Sequence, residues 1–343
     1  MRVHQLDSGE LRGVARGTDC GRRFAGLMAA TWAGYRDQFR TMGIADTTVH
    51  EVAEASFEAL RSWAPGIAAE IEAMSAGSGV GTTELTALTA RTEILARATT
   101  VDECSTAVHV PADGVPVAFQ TWDWHEHLVP DALMWSYRTE AGRGVRTFTE
   151  FGMPAKIGLN DAGLSVNFNI LHHRSDGIGD GVPVHAVVRR VLDEAGSVAE
   201  AIEIVRSARV SASSVLTVLA ADGAASIEVS PAGVAVVRPS DEWLVHTNHF
   251  LDPELACDGV VPEASTTAAR HAHLTEIAAT PVDTDSLVSL TRGLAGSPSA
   301  PICMRPDPSL PEHERWQTLL TVRLVPSVGR FEWRSGTPEE LWA

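Results

Sequence analysis

Apolar positions in the first hundred residues recur at steps of three and four. Phe24, Leu27, Met28, Trp32 and Tyr35 fall on one face of a helix for which Asp19 is the expected cap. Val49, Val52, Ala53, Phe57 and Leu60 repeat the pattern over Thr47–Trp63, Pro65 interrupts it, and Ile67–Met74 resumes it. A short strand within Leu6–Gly17 precedes these helices, and another helix, starting at Thr83, carries Leu88, Arg91, Ile94 and Leu95. The glycines of Ala76-Gly77-Ser78-Gly79-Val80-Gly81 would suit a phosphate loop, but no strand precedes them and no Lys-Ser/Thr follows. They read as a helix-to-helix connection.

From Cys104 the period becomes that of strands. Cys104–Val110 alternates, Pro111-Ala112-Asp113-Gly114 is a turn, and Val115–Asp123 returns as the second arm of a hairpin. Further strands are expected over Leu133–Thr139, Val145–Phe151, Ala155–Asn160 and Leu164–Ile170. Helices Val184–Asp193 and Val198–Ala208 follow, parted by Gly196 and capped by Ser197. A second strand series covers Ser214–Ala220, Ala225–Ser230, Val234–Arg238 and Trp243–Thr247. Helices Ala264–Ala278 and Ser286–Leu294 and a closing strand pair, Leu319–Leu324 and Arg330–Trp333, complete the chain, with Ala295–Pro311 as a surface loop. Strands, two helices, strands, two helices is the order that places a pair of sheets between helical layers.

Composition narrows the function. The 343 residues are 44% hydrophobic, and Lys+Arg 27 against Asp+Glu 44 leaves a formal charge of −17. That balance argues against general binding to nucleic acid or to anionic membranes. No apolar run approaches the roughly 18 residues that span a bilayer, and Met1–Asp7 has no secretory pattern, so the cytoplasm is the expected location. Cys20, Cys104, Cys257 and Cys303 are too far apart for a small disulfide framework and are expected as free thiols. The pairs His125/His127, His271/His273, His172/His173 and His246/His249 raise a zinc site. No His-Glu-x-x-His accompanies them, and solvated or pocket-lining histidines, without metal or cofactor, are the expectation.

By itself Cys104 reads equally as a small buried hydrophobe or as a nucleophile aimed by a rigid strand end. Its thiol can attack the Glu103 carbonyl to give a thioester that water cleaves, and the liberated α-amino group, with a pKa of about 8, then serves as base for the same thiol. Around it stand Ile71–Val80, Leu85–Ile94, Thr121-Trp122-Asp123, Gly158–Asn167, Thr247-Asn248-His249-Phe250 and Ile302-Cys303-Met304-Arg305-Pro306. Together, from Gly9 to Arg305, these resemble the penicillin (isopenicillin-N) acyltransferase family of autoproteolytic N-terminal-nucleophile (Ntn) hydrolases.

The resemblance implies an α+β fold, the four-layered αββα sandwich, with a mainly helical N-terminal segment. Self-cleavage between Glu103 and Cys104 would divide the chain into 1–103 and 104–343, which stay together as one structural unit. It implies Cys104 as nucleophile, Asn248 as oxyanion donor, Asp123 as the group orienting the amino terminus or the processing water, and Arg305 as a partner for Asp123 or for a carboxylate. Trp122, Trp124, His125 and His249 are candidates for the substrate pocket. Glu103 departs from the glycine of the best-known members. The expected activity is cleavage of a small acyl amide or an acyl-CoA-like thioester through an acyl-cysteine, with transfer to water or a small amine. The alternatives are an unprocessed, non-catalytic relative that binds a small ligand, and a zinc-dependent hydrolase.

Overall fold

A computed structural model of the chain describes residues 1–98, 103–280, 282–293 and 302–337. Strand β1 (Arg2–Asp7) leads into five helices: α1 (Gly13–Thr41), α2 (Asp46–Trp63), α3 (Pro65–Ser78), α4 (Thr82–Thr89) and α5 (Arg91–Leu95). Then come β2 (Cys104–His109), β3 (Val117–Trp124), β4 (Asp131–Arg138), β5 (Gly144–Thr149), β6 (Ile157–Asn160) and β7 (Ser165–Ile170). Helices α6 (Val184–Glu194) and α7 (Val198–Ser207) separate these from β8 (Ser214–Ala220), β9 (Gly223–Ser230), β10 (Gly233–Val237) and β11 (Trp243–His246). Helices α8 (Pro253–Ala256), α9 (Thr267–Ala278) and α10 (Leu287–Gly293) precede β12 (Gln317–Val325) and β13 (Arg330–Ser335).

Among the described residues the strands form two sheets, ordered β1-β4-β5-β6-β7-β8-β9-β10 and β11-β2-β3-β12-β13. Helices α6 and α7 cover the outer face of the larger sheet and α9 that of the smaller, while β2 and β3 face β7 across the space between. This is the expected αββα sandwich. Burial on both faces explains why β3, β7 and β8 are buried at every position rather than at alternate ones. Helix α6 turns Val184, Val187, Val188 and Val191 inward at helical spacing. The core is continuous from α1–α5 into both sheets, and β1 pairs in parallel with β4, so residues N-terminal to Cys104 supply an edge strand.

The two boundaries nearest the N-terminus differ from those read in the sequence, and the helix expected from Thr83 through Leu95 is broken at Ala90 into α4 and α5. Strand β1 is Arg2–Asp7, and α1 begins at Gly13, which leaves Asp19 inside the helix rather than at its cap. A tertiary contact decides this: Arg16, in the first turns, is buried, pairs with Glu70 of α3 and donates to the Arg138 carbonyl at 2.6 Å. The close approach of α1 and α3 needs small residues. A Cβ on Gly17, Gly21 or Gly77 would meet the facing backbone at 2.4–2.5 Å. The expected loop Ala295–Pro311 and helix end Leu294 lie partly outside the described residues.

Glu70 lies between two buried guanidiniums, Arg16 and Arg189. Burial alone would raise its pKa, but the two cations hold it below the usual carboxylate range. Glu70→Ala leaves both cations uncompensated in the core, and urea unfolding is expected to show a loss of about 3–5 kcal/mol.

Candidate active site

Cys104 opens β2, an inner strand between β11 and β3, and pairs with Trp122. Side chains alternate along a strand, so Cys104, Thr106 and Val108 share one face with Trp122, Gln120 and Ala118. That face looks into the space between the sheets, as contacts to the opposite sheet show. The Thr106 hydroxyl donates to Asn169 Oδ1 at 2.7 Å, Gln120 donates to the Phe168 carbonyl at 2.6 Å, and Trp122 meets Phe148 edge-on. The thiol-bearing residue is therefore buried, at 4% exposure, beside a layer of polar side chains that hydrogen-bond across the two sheets.

The Cys104 backbone is held on both sides. Its N–H donates to Asn248 Oδ1 at 2.7 Å, and its carbonyl accepts from Arg270 Nη1 at 2.6 Å and Asn169 Nδ2 at 3.2 Å. Asn248 is fixed in turn: its Nδ2 donates to the Ile170 carbonyl at 3.0 Å and its backbone N–H to Thr267 Oγ1 at 2.7 Å. The amide oxygen, not the nitrogen, thus faces the Cys104 nitrogen. In this chain the geometry suits Asn248 to holding that nitrogen.

Glu103 points away from the thiol, toward α9, and is wholly buried. Its carboxylate pairs with Arg270 and accepts from Ser265 Oγ at 2.7 Å, the Thr266 N–H at 3.0 Å and Thr266 Oγ1 at 3.1 Å. Thr266 caps α9, so the carboxylate also meets the positive end of a helix. Arg270, fully buried, spends its other donors on Ser105 Oγ at 2.8 Å and Asn248 Oδ1 at 3.0 Å.

On the thiol side stands Lys156, the only lysine in the sequence. It precedes β6 in the opposite sheet, is buried, places its ammonium 3.8 Å from the centre of the Trp122 ring, and pairs with Glu150. Glu150 also accepts from Arg91 at 3.0 Å and from the Tyr35 hydroxyl at 2.5 Å. Burial, with Arg91 nearby, pulls the Lys156 pKa down to about 7 against the attraction of Glu150 and of Cys104 itself.

The remaining expected site residues are distributed differently. Asp123 follows Trp122 and so projects from the opposite face of β3. It accepts from Thr318 Oγ1 at 2.6 Å, and its Oδ2 has no hydrogen-bond partner among the described residues. Burial pushes its pKa well above the usual carboxylate range, against the hydrogen bond from Thr318. The hydrogen bond to the Asp123 carboxyl comes from Thr318 of β12. Arg305 is exposed and follows Met304, which brackets Thr318 through bonds of 2.9 and 3.1 Å.

Trp124 and His125 lead away toward the helices. The Trp124 Nε1 donates to the Tyr35 hydroxyl at 2.9 Å, and His125 Nδ1 lies 2.8 Å from the Arg315 carbonyl. His249 bonds Thr267 Oγ1 at 2.9 Å, and burial with His271 and His246 nearby pulls it down to about 4, so it is neutral at pH 7. No group of three or more His, Cys, Asp or Glu side chains gathers as metal ligands among the described residues.

Sequence reading brought Glu103, Cys104, Trp122 and Asn248 to one place but missed Arg270, Asn169 and Lys156. Lys156 carried a usable signal, being a lone lysine among otherwise arginine cations. Arg270 carried none.

The model of the family "Acyl-coenzyme A:6-aminopenicillanic acid acyl-transferase" matches residues 111–299, more than half of the 343-residue chain. The acyl-coenzyme A:6-aminopenicillanic-acid-acyltransferase 40 kDa form of Emericella nidulans is 29% identical over 185 residues, 53% of this chain and 51% of that protein. The match thus spans about half the length of that curated relative. Among solved structures, a mutant conjugated bile acid hydrolase from Clostridium perfringens shares 13% identity and a TM-score of 0.47, over 67% of this chain and 89% of that one. A penicillin V acylase from Agrobacterium tumefaciens shares 14% identity and a TM-score of 0.37, over 68% and 83%. On the family match, with the sandwich and its buried strand-end cysteine already described, the chain belongs to the acyl-coenzyme A:6-aminopenicillanic acid acyl-transferase family and is of the Ntn-hydrolase type.

Proposed function

We propose that the protein is a self-processing cysteine amidohydrolase or acyltransferase in which Cys104, released by cleavage of the Glu103–Cys104 bond, works as an N-terminal nucleophile. The observation that carries this reading is the hold on the Cys104 nitrogen: a buried strand-end residue whose N–H meets Asn248 Oδ1 at 2.7 Å while its side chain faces a buried lysine. Family membership and the relative's name support an acyl group as what is moved.

In the first reaction the thiol adds to the Glu103 carbonyl carbon, the Cys104 nitrogen leaves with a proton, and water cleaves the resulting thioester. The amino group so formed stays beside Asn248 Oδ1, which orients it to take the thiol proton in later turnovers. The thiolate then attacks a small acyl amide or acyl-CoA-like thioester, the amine or thiol leaves, and water or an amine accepts the acyl group. Lys156, while charged, stabilises the thiolate across the Trp122 ring. No step calls for a metal or cofactor. Residues 1–103 remain bound through the shared core, α1 and α5 supplying the Tyr35 and Arg91 that hold Glu150.

Incubation with an acyl amide, acid quenching and intact-mass measurement are expected to show the acyl group on the chain that begins at Cys104. Cys104→Ala is expected to remain a single 36.6 kDa chain without acyl adduct or turnover. A Cys104→Ala protein as active as wild type would overturn the reading. Asn248→Ala is expected to process in part yet lose at least about 100-fold in kcat, the scale of a misdirected general base.

The sign of the Lys156 effect follows from its titration. The ammonium is present below about pH 7 and is lost as the pH rises through that value. Its support of the thiolate therefore fades above that value. A pH profile of kcat/KM is expected to lose this step in Lys156→Met and to fall at least about tenfold near pH 6.5. An unchanged profile would remove Lys156 from the mechanism.

A further inference from the structure

The residue preceding the nucleophile is held in a built carboxylate site. Glu103 and Arg270 are both fully buried, and Ser265 Oγ, the Thr266 N–H and Thr266 Oγ1 complete the ring of donors at 2.7–3.1 Å. Three of these donors belong to the half-buried start of α9, so the site borders solvent on that side. Nothing about cleavage requires so complete a reception for one side chain. A thiol attacks the same kind of carbonyl whatever follows its α-carbon.

We propose that Glu103 occupies, before cleavage, the acyl subsite of the mature enzyme, and that the substrates are amides or thioesters of short dicarboxylic acids of the glutaryl or glutamyl type. The inference rests on the self-processing reading above. In self-cleavage and in turnover the carbonyl carbon under attack sits at the same sulfur, so the acyl chain beyond it has the same starting point. In Glu103 three carbons separate the side-chain carboxylate from that carbonyl, which is the spacing of glutarate.

Cleavage consumes one water and ends the first chain in a new α-carboxylate. Two carboxylates then compete for one guanidinium, which favours departure of Glu103 from the pocket. Departure leaves Arg270 buried and uncompensated, with two hydroxyls and a helix N-terminus around it, and an incoming carboxylate restores the balance. The acyl group then leaves its amine for the Cys104 sulfur, the amine departs with a proton, and either water releases the diacid or another amine takes the acyl group as a new amide, the thiol regaining its proton in both cases. A neutral acyl chain of the same length leaves those donors unmatched, which is how such a site discriminates.

The test compares glutaryl p-nitroanilide with the anilide of the matching monoamide on purified, processed protein, together with thermal stabilisation by glutarate and by butyrate. The diacid substrate is expected to exceed the monoamide by at least about 100-fold in kcat/KM. Thr266→Val is expected to cut that ratio at least about tenfold. Glutarate, not butyrate, is expected to raise the Tm of the processed protein. The single-chain Cys104→Ala protein, with Glu103 still in its pocket, is expected not to respond. A processed enzyme that takes the monoamide as well as the diacid, or an equal glutarate response in Cys104→Ala, overturns the subsite while leaving self-processing intact. A wild-type chain that is never cut and hydrolyses neither anilide overturns self-processing, and the subsite with it.

Discussion

Arg270 is fully buried, so the chain around it has to compensate its charge. Its guanidinium pairs with Glu103 and donates to the Cys104 carbonyl, to Ser105 and to Asn248, and thereby ties three elements, α9, the start of β2 and the end of β11, to one point. Removing any one acceptor would leave part of a buried cation unmatched, a far larger cost than the loss of a surface contact. The position of the Cys104 backbone is therefore set by charge compensation as well as by strand pairing. The bond between Glu103 and Cys104 lies between two of the groups that the guanidinium holds.

The two faces of the smaller sheet divide the chemistry. Away from the larger sheet lie Glu103, Arg270 and the buried Asp123. Toward the larger sheet lie the Cys104 side chain, Trp122, Lys156 and the network of Thr106, Gln120, Asn167 and Asn169. The N-terminal helices complete the second side, since Tyr35 and Arg91 reach Glu150, the counter-ion of Lys156. In the proposed reading this explains why the segment ahead of the cut belongs to the working enzyme. It helps set the charge state of the group facing the thiol.

Much of this was legible in the sequence, and the reasons for the rest are physical. The 3.6 and 2 periods located the helices and strands because each of those elements buries a stripe or a face. The layer order followed from their alternation along the chain. The start of α1 was misread because Arg16, a polar residue in a weakly patterned stretch, is drawn into the core by Glu70, fifty-four positions away. Cys104, Trp122 and Asn248 were found because they lie in short recognisable runs. Arg270 sits in Ala269-Arg270-His271, where its neighbours Ala269 exposed and His271 half-buried give no sign that the guanidinium turns inward. Asp123 was found by its neighbours, but its face depends on strand parity and its partner, Thr318, lies 195 residues on. Lone composition was the overlooked clue for Lys156.

The central claim is that one sulfur acts first on its own backbone and afterwards as the leading residue of a new chain. Amino-terminal sequencing of purified, catalytically active protein tests it most directly. The expected result is a chain beginning Cys104-Ser105-Thr106-Ala107, in amounts equal to the segment that precedes it. Active material in which the Glu103–Cys104 bond is intact throughout would contradict the account.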